Sequence, residues 1–451
     1  MTRIHIAFAG FLAALLALWL MADSLPVGSI TGHAFGTAFT QISGILSIGM
    51  MSFGILLAIR PRWLESTFDG LDKMYRLHKW LGVGGLSVGV VHWLTATGDG
   101  RGRPGTAGTV EAGQTVAGAA TSVTEVTKNV LLGRLTSLHG QAHGVAQPAL
   151  WVLIALVAIA LVKFIPYRFF AKTHVLTSIV FALLAFHSIV LMKAGYWSQP
   201  IGWAVAGVVG VGFVAATVAL LRSFGLRKQT LAAVDSATYY PELHVLETEL
   251  TVEDGWAGHQ PGQFAFVTTD WKEGPHPFTI ATAWDAKERK IGFIAKELGD
   301  HTARLRDHFV VGKPVRIEGP YGRFDFEDGK ARQIWVGAGI GITPFVAKMR
   351  ERGRLRSGIV VDLFHPTGEA SDAALGKMRA DAAAAGVKLH IFVSSRGEKL
   401  DAARIQALAP DWRNASIWFC GPTGFGAALK RAFVGAGLHR DDFHQELFEM
   451  R

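Results

Sequence analysis

Four histidines lie inside two long apolar stretches of this 451-residue chain, where ionisable side chains are rare. His78 and His92 are 14 positions apart in one stretch, and His174 and His187 are 13 positions apart in another. A single histidine of this kind is ordinarily explained by a hydrogen bond to a neighbouring helix. Two pairs at nearly equal spacing instead indicate two metal ions, each bound between one residue of either helix.

The spacing indicates which metal group would fit. Fourteen residues span about 21 Å of helix, enough for two stacked macrocycles, and bring His92 to within about 40° of the face that carries His78. Imidazoles on both axial positions of an iron favour electron transfer over ligand binding. We therefore predict two b-type haems, one held by His78 with His174 and the other by His92 with His187. A spacing of 13 puts His187 about 140° from His174 on an ideal helix, so this helix should contain a bulge or tilt strongly.

Six apolar stretches are long enough to be the helices that carry these histidines across a bilayer. They lie near residues 4–22, 39–59, 76–96, 148–165, 173–192 and 201–221, and 50% of all residues are hydrophobic. The first stretch follows a short basic start, and a cleaved signal peptide is the alternative interpretation for it. We predict a multi-domain membrane protein that begins with a six-helix transmembrane haem bundle over residues 1–221.

Basic residues in the short connections predict the orientation of these helices. They follow the second stretch, lie between the fourth and fifth, and follow the sixth: Arg60, Arg62, Lys73, Lys163, Arg168, Lys172, Arg222, Arg227 and Lys228. By the positive-inside rule these connections and the C-terminal half are cytoplasmic, in a bacterial-type plasma membrane. His92 and His187 then lie near the outer face, and segment 97–147 is an extracytoplasmic insert.

The charge and the cysteine content exclude several other functions. The formal net charge of +9 is spread over short loops, and no basic run with interleaved aromatics predicts nucleic-acid binding. Cys420 is the only cysteine, which excludes an intrachain disulfide, a cysteine-ligated iron–sulfur cluster and a cysteine-based zinc site. Any electron carrier must therefore be organic or be held by histidine.

Beyond a predicted linker at 222–235, short alternating strands with Gly and Pro turns predict an antiparallel β-barrel over 236–328. Its first motif offers an aromatic ring for stacking and a hydroxyl for hydrogen bonding: His276, Pro277, Phe278 and Thr279. Its second motif, Gly299–Thr302, offers backbone donors and the Thr302 hydroxyl to a phosphate, with Lys296 nearby. An ordinary strand end and a solvated turn are the alternatives.

Residues 329–451 alternate strands with helices, which predicts an α/β domain with a parallel sheet. After the strand Gln333–Val336 comes a glycine-rich loop that opens a helix, as in sites for a pyrophosphate. The loop contains Gly337, Gly339, Gly341, Thr343 and Pro344. It departs from the strict dinucleotide fingerprint, so by itself it is weak evidence for a nicotinamide cofactor.

Two further strand ends complete this predicted cofactor site. Ser394 and Arg396 end one strand, and an arginine there suits a 2′-phosphate, which favours NADPH and leaves NADH possible. A solvated loop arginine is the alternative. Cys420, Gly421 and Pro422 close the last main strand, at the edge where a nicotinamide ring would lie.

The paired histidines, the His276–Thr279 motif and the glycine-rich loop, in this order, resemble the NADPH oxidase/ferric reductase superfamily. The resemblance covers about residues 40–451 without the 97–147 insert, and implies a transmembrane flavocytochrome with a ferredoxin–NADP reductase-like module. It implies that Phe278 and Thr279 contact the FAD ring, that Thr302 contacts a flavin phosphate, and that Cys420 lies near the nicotinamide. An aromatic residue near the C-terminus would cover the flavin, which suggests Phe448.

The implied function is transfer of electrons from cytoplasmic NADPH through FAD and two haems to ferric iron or dioxygen outside. Superoxide-forming animal oxidases place another histidine one turn beyond the outer ligand, whereas this chain has Ala96, which weakens the case for dioxygen. A quinone or periplasmic-protein reductase remains an alternative, as does a non-haem membrane anchor or transporter fused to a flavin reductase. His139 and His143, four apart, offer a possible metal site, with solvated loop histidines as the alternative.

Overall fold

The computed structural model describes residues 2–23, 32–68, 70–98, 133–134, 137–162, 164–223, 229–270, 274–297, 304–355 and 358–446. Thr302, Phe448 and most of segment 97–147 lie outside these ranges. Contacts divide the chain into two compact units, one formed by 1–68 and 73–226 and the other by 69–72 and 227–450.

The first unit is helical. Its helices are α1 (Thr2–Ala22), α2 (Gly32–Ala58), α3 (Arg62–Phe68), α4 (Leu71–Gly98), α5 (His139–Leu161), α6 (Tyr167–His174), α7 (Thr177–Val190) and α8 (Pro200–Ser223). Among the described residues, four segments are long and apolar enough to cross a membrane: Phe35–Ala58, His139–Leu161, Phe169–Val190 and Pro200–Arg222. The apolar part of α1, Ile6–Ala22, is shorter. The length and apolar composition of these helices indicate an integral membrane protein. Six spans remain a prediction, because they require that α1 and α4 also cross the membrane.

The fifth predicted span is interrupted directly after its first histidine. Helix α6 ends at His174, Val175 and Leu176 form a turn, and α7 begins at Thr177. The amides of Leu176 and Ile179 bond carbonyls three residues back, each at 3.0 Å, so these two amides stay hydrogen-bonded at the interruption. This is the irregularity that the 13-residue spacing requires.

Small residues let α8 approach its neighbours closely. A Cβ on Gly212 would lie 2.7 Å from Cζ of Phe181 and 2.8 Å from Cβ of Ser52. Phe181, midway between His174 and His187, is fully buried (0% exposed). This ring therefore fills the space between α2 and α8.

A hydrogen-bond chain joins α1 to the segment that precedes α8. The Trp19 Nε1–H donates to the Tyr196 hydroxyl at 2.9 Å, and that hydroxyl donates to the Asp23 carboxylate at 2.7 Å. Lys193 completes an ion pair with Asp23 at 2.9 Å. Because Trp19 and Tyr196 are buried, this contact fixes the end of α1 against the rest of the helical unit.

The second unit begins with a six-stranded antiparallel sheet. Its strands are β1 (Thr230–Tyr240), β2 (Val245–Val252), β3 (Phe264–Thr268), β4 (His276–Thr279), β5 (Lys290–Lys296) and β6 (Pro314–Tyr321), and their order is β4-β3-β6-β1-β2-β5. An isolated bridge between Ile280 and Phe293 joins the two edge strands. The short helix α9 (Leu305–His308) precedes β6.

Strand β1 begins at Thr230, within the range predicted to be a linker, 222–235. It pairs with β2 on one side and with β6 on the other, so it is a central strand. Its inward residues include the small Ala232, beside Val234, and both are 1% exposed. Weakly hydrophobic residues in alternation form too faint a pattern to identify the strand.

The second sheet is parallel and five-stranded, in the order β11-β10-β7-β8-β9. Its strands are β7 (Arg332–Gly337), β8 (Val360–Thr367), β9 (Lys388–Val393), β10 (Ser416–Cys420) and β11 (Phe443–Gln445). The connecting helices are α10 (Thr343–Arg354), α11 (Asp372–Ala385), α12 (Ala402–Leu408) and α13 (Thr423–Gly435). The predicted combination of an antiparallel and a parallel sheet is confirmed; β11, three residues long, was not predicted.

Ion pairs connect the two sheets within this unit. Glu247 of β2 bonds Lys377 of α11 at 2.6 Å and Arg350 of α10 at 3.3 Å. Arg350 also donates to the Ala281 carbonyl at 3.0 Å. These contacts hold the helices of the parallel sheet in a fixed position against the antiparallel sheet. A cofactor that contacts both sheets would therefore meet a fixed geometry.

The amino ends of the parallel strands hold a buried charge. The Asp362 carboxylate accepts from Arg332 at 2.6 Å and from His390 Nε2 at 2.5 Å, and its side chain is 7% exposed. Burial alone would raise the pKa of Asp362, but the hydrogen bonds from His390 and Arg332 outweigh it and hold that pKa below its usual range. Asp362 of β8 therefore carries a buried negative charge that bonds residues of the two neighbouring strands, β7 and β9.

Replacing Asp362 with Asn should lower the free energy of unfolding of this unit by about 2 kcal/mol at neutral pH, because Arg332 and His390 both lose a buried charged partner, while Arg332 keeps its ion pair with Asp411 at 2.8 Å. The pKa of Asp362 is lower in the folded than in the unfolded protein, where it is about 4, so its ionisation stabilises the fold at any pH above that unfolded-state pKa. This stabilisation is lost as the pH falls through the folded-state pKa. The difference between wild type and variant should therefore shrink in acid. Pulse proteolysis of the full chain in urea at several pH values measures both effects.

Asp254→Asn is the matched control, because Asp254 is fully exposed where it pairs with Arg289 at 2.9 Å. Solvent screens such a pair, so its loss should change the free energy of unfolding very little. An equal loss in both variants, or a difference for Asp362 that grows in acid, would contradict the assigned role of Asp362.

Candidate functional site

The structure brings the four membrane histidines together in the predicted pairs. The rings of His78 and His174 have centres 5.9 Å apart and planes 82° apart. The rings of His92 and His187 have centres 6.2 Å apart and planes 85° apart. Helix α4 supplies one member of each pair, and the interrupted segment α6–α7 supplies the other.

These distances can be compared with the requirement of a shared metal. With a metal–nitrogen bond of about 2 Å and about 1.2 Å from the nitrogen to the ring centre, two axial imidazoles lie about 6.3 Å apart. The two observed separations are close to that value. The histidine pairs therefore fit the axial positions of an iron, as the haem interpretation requires.

Backbone carbonyls fix which nitrogen of three rings is available. Nδ1 of His78 lies 2.8 Å from the Gly54 carbonyl, and Nδ1 of His92 lies 2.9 Å from the Thr40 carbonyl. Nδ1 of His187 lies 2.9 Å from the Ala142 carbonyl. A carbonyl oxygen only accepts, so each Nδ1 carries the proton and each Nε2 keeps its lone pair for a metal.

Two further details concern the surroundings of these rings. A Cβ on Gly44 would lie 3.1 Å from Cε1 of His92, so glycine at this position of α2 makes room for the imidazole. Nδ1 of His174 is buried without a hydrogen-bond partner among the described residues. No group of three or more His, Cys, Asp or Glu side chains in the described ranges is placed to hold a metal ion.

In the antiparallel sheet, the predicted flavin motif is strand β4. It pairs with β3 so that Thr279 lies opposite Phe264 and His276 opposite Val267. Phe278 is buried, with ring centres 6.1 Å from Phe293 and 6.3 Å from Phe309. Pro277 is exposed, and His276, Thr279 and Lys296 are half-buried. The predicted contacts of Thr302 and Phe448 lie outside the described residues.

The glycine-rich loop connects β7 to α10 through a 3-10 turn, Gly339–Ile342. A Cβ on Gly341 would lie only 2.3 Å from the Cys420 carbonyl oxygen, and the Ala338 amide donates to that oxygen at 2.9 Å. Gly421 has φ +153° and its Cβ would meet Ala338 at 2.7 Å. The ends of β7 and β10 therefore approach closely only because Gly341 and Gly421 lack side chains.

The other predicted nicotinamide residues also lie at the carboxyl edge of the parallel sheet. Gly337 ends β7, and Thr343 and Pro344 begin α10. The Thr343 hydroxyl is buried and donates to the Ile340 carbonyl at 2.8 Å, so it stabilises the turn. Ser394 and Arg396 form an exposed turn after β9, and Cys420 with Gly421 and Pro422 follows β10.

Two residues at this edge were missed by sequence reasoning. Nδ1 of His365, at the end of β8, lies 2.7 Å from the Gly337 carbonyl, and burial lowers its pKa, which keeps it neutral. Glu446 is 8% exposed. Burial raises the pKa of the Cys420 thiol, and the nearby carboxylate of Glu446 raises it further. Neither residue belongs to a motif that the sequence displays.

A cavity of about 160 Å³ lies where the antiparallel and parallel sheets meet in the second unit. Its lining includes Tyr240, His244 and Lys296 from the antiparallel sheet and Gly339, Ile340 and His365 from the other. The glycine-rich loop thus opens onto a space shared by both sheets. In open α/β sheets, ligands bind in the crevice outside the carboxyl ends of the strands, and this cavity lies at that edge.

Comparison with known proteins gives one family match and several relatives. Residues 43–185 match the ferric reductase like transmembrane component, a range that includes His78, His92 and His174. An NADPH oxidoreductase of Mycobacterium tuberculosis is 29% identical over 241 residues, 50% of this chain and 59% of that protein.

Two eukaryotic relatives match over similar lengths. The heavy chain of a superoxide-generating NADPH oxidase of Dictyostelium discoideum is 29% identical over 40% of this chain and 36% of that protein. A respiratory burst oxidase homolog of Arabidopsis thaliana is 29% identical over 42% of this chain and 23% of that protein. The chain thus spans less than two thirds of the length of these relatives.

If the glycine-rich loop binds NADPH, as the sequence predicts, replacing Gly341 with Ala should lower kcat/KM for NADPH by about 100-fold, because the added methyl group would displace the loop from Cys420 and misplace the nicotinamide. Reduction of ferricyanide by NADPH, followed in purified full-length protein, measures this loss. Gly424→Ala is the control, since a Cβ there meets nothing within 4 Å among the described residues. Wild-type kinetics in Gly341→Ala would contradict the assigned role of the close approach.

Proposed function

We propose that this chain, a membrane oxidoreductase of the NADPH oxidase/ferric reductase superfamily, passes electrons from NADPH through FAD and two bis-histidine b haems to an acceptor outside the cell. NADH remains possible as donor, and the acceptor would be ferric iron or dioxygen. The chain has the membrane component and the reductase module that this path needs.

One observation supports the path most strongly: two histidine pairs at the separation of axial ligands, 5.9 and 6.2 Å between ring centres. In both pairs, the α4 histidine has its Nδ1 on a carbonyl of α2, from Gly54 or Thr40. A single pair would suit a structural contact between helices. Two equivalent pairs about 21 Å apart along α4 suit two redox centres at different depths.

At the nicotinamide end, the chain contributes binding and orientation. The pyrophosphate would lie at the turn Gly339–Ile342 and the N-terminus of α10, where the helix dipole favours its negative charge. Gly341 and Gly421 keep the surface flat where the dinucleotide crosses from β7 to β10. Arg396 offers its guanidinium to a 2′-phosphate from an exposed turn, which is the basis for preferring NADPH.

At the flavin end, β4 would orient the ring, with the Thr279 hydroxyl as hydrogen-bond partner and His276 and Pro277 beside it. Thr302 and Lys296 would bind the flavin phosphates, and Phe448 would cover the ring. A hydride carries two electrons and a haem accepts one. The carrier between them must therefore accept two electrons together and release them one at a time, which is the chemistry that FAD supplies. Residues 236–328 would form the barrel that holds it, and 329–451 the nicotinamide domain.

The helical unit contributes a dry, pre-oriented environment. Because Nδ1 of three histidines is bonded to a carbonyl, their rings need no reorientation when charge passes. By the positive-inside rule, His78 and His174 lie near the cytoplasmic face and His92 and His187 near the outer face. The position one turn beyond His92 is Ala96, which offers no proton to a reduced oxygen species. A quinone or a periplasmic protein as acceptor, or a helical unit without haem, are the alternatives.

Replacing His78 with Ala should stop NADPH from reducing the outer haem, because the inner redox centre loses its ligand, and should slow overall electron transfer by about 10–100-fold or more. Flavin reduction by NADPH should persist. Stopped-flow absorbance without oxygen follows the flavin and haem bands separately, and dithionite reports the haem that remains.

His439→Gln is the control for this experiment, since His439 is an exposed histidine of the other unit. It should show wild-type flavin and haem reduction. If His78→Ala retains full NADPH-dependent haem reduction, the pairing of His78 with His174 at a redox centre is wrong.

A further inference from the structure

His139 and His143 open helix α5, and neither takes part in the histidine pairs described above. They are nevertheless close to one of them. The ring centre of His143 lies 6.2 Å from that of His187, with the planes 83° apart. The predicted outer pair therefore has a further imidazole beside it, on a third helix.

The positions of these two residues suit joint coordination of a metal ion. Residues four apart on a helix lie on one face with Cβ atoms about 5–6 Å apart. Two histidines at this spacing form a recurrent metal-binding arrangement on helices. His143 is exposed and His139 half-buried, and a Cβ on Gly140 or Gly144 would meet nothing within 4 Å among the described residues. An approaching complex therefore has room.

Two imidazoles are too few for a resident metal. Structural sites use about four protein ligands, and the described residues contain no cluster of three or more suitable side chains. A metal ion that is a substrate needs the opposite arrangement, because most of its coordination positions stay with water or a chelator and it must leave after reaction. Imidazole binds iron and copper among the reducible metals.

The same turn of α5 also holds the outer ligand in place. Nδ1 of His187 bonds the carbonyl of Ala142, the residue directly before His143, at 2.9 Å. Any ion bound by His143 is thus at a fixed, short distance from the His92–His187 pair. This backbone connection gives the two histidines of α5 a defined position relative to the predicted end of the electron path.

We propose that His139 and His143 form the docking site where a chelated ferric ion receives its electron. This assignment rests on the proposed function, which supplies that electron. The ferric ion gains one electron and becomes ferrous, the two imidazoles exchange for water or chelator on release, and no proton is transferred. Dioxygen needs no such ligands, so its reduction should be independent of both residues.

The test uses purified full-length holoprotein, ferric citrate as acceptor and zinc as a redox-inert probe. Zinc should bind the oxidised wild type, as measured by calorimetry without NADPH, and should raise the KM for ferric citrate. The double variant His139→Gln/His143→Gln should lose zinc binding at this site and its inhibition. Its KM for ferric citrate should rise about 10–100-fold, with kcat and superoxide formation in air unchanged.

Gln141→Ala is the matched control, an exposed residue on the same turn that lacks an imidazole. It should behave as wild type, whereas His143→Asp should retain part of the zinc binding. If the double variant disturbs the haem spectrum, the single variant His139→Gln is tested in its place. His139 is not adjacent to Ala142, whose carbonyl bonds His187, whereas His143 is.

The possible outcomes distinguish failure of the docking-site proposal from failure of the proposed electron path. Unchanged zinc binding and an unchanged KM in these variants, with normal haem reduction, would overturn the docking site and leave the proposed function intact. Absence of haem reduction by NADPH in the wild type would overturn the proposed function, while calorimetry would still report on the zinc site.

Discussion

The satisfaction of buried imidazoles is the constraint on which this structure depends. A buried ring nitrogen without a hydrogen-bond partner costs about 1–3 kcal/mol. Each membrane histidine has two ring nitrogens, and each of these needs a partner. Carbonyls of Gly54, Thr40 and Ala142 satisfy one nitrogen of three rings. A helical carbonyl has a second lone pair, so it accepts the imidazole without giving up its helix bond. The Nε2 atom that remains carries a lone pair, and the proposed iron between the two rings of a pair would satisfy both.

This constraint also explains the shape of the helices around the pairs. The 13-residue spacing would send His187 to the wrong side of a regular helix, and the turn at Val175–Leu176 corrects its direction. Bonds to carbonyls three residues back satisfy the amides of Leu176 and Ile179 on either side of this turn, where the surroundings are apolar. Gly44 removes a side chain where α2 meets His92. The irregular positions are thus those at which a ring must be accommodated.

Much of this arrangement was predictable from residue types and spacing. The pairing of the histidines, the resemblance to the superfamily and the two kinds of sheet all followed from strong local patterns, and the last two are confirmed. The start of β1, by contrast, depends on Ala232 lying between two neighbouring strands, which only the tertiary structure decides. His365, Glu446 and the contact of His143 with His187 were not predictable, because each arises between elements distant in sequence.

The central claim is that each histidine pair holds one haem iron, and the haem content of the purified chain tests it most directly. The pyridine haemochrome assay, combined with a quantitative protein determination, gives the number of b haems per polypeptide. We expect two, both low-spin in the oxidised protein, because imidazoles would occupy both axial positions. A chain that contains no haem, or only one, when purified with its flavin retained would contradict this claim.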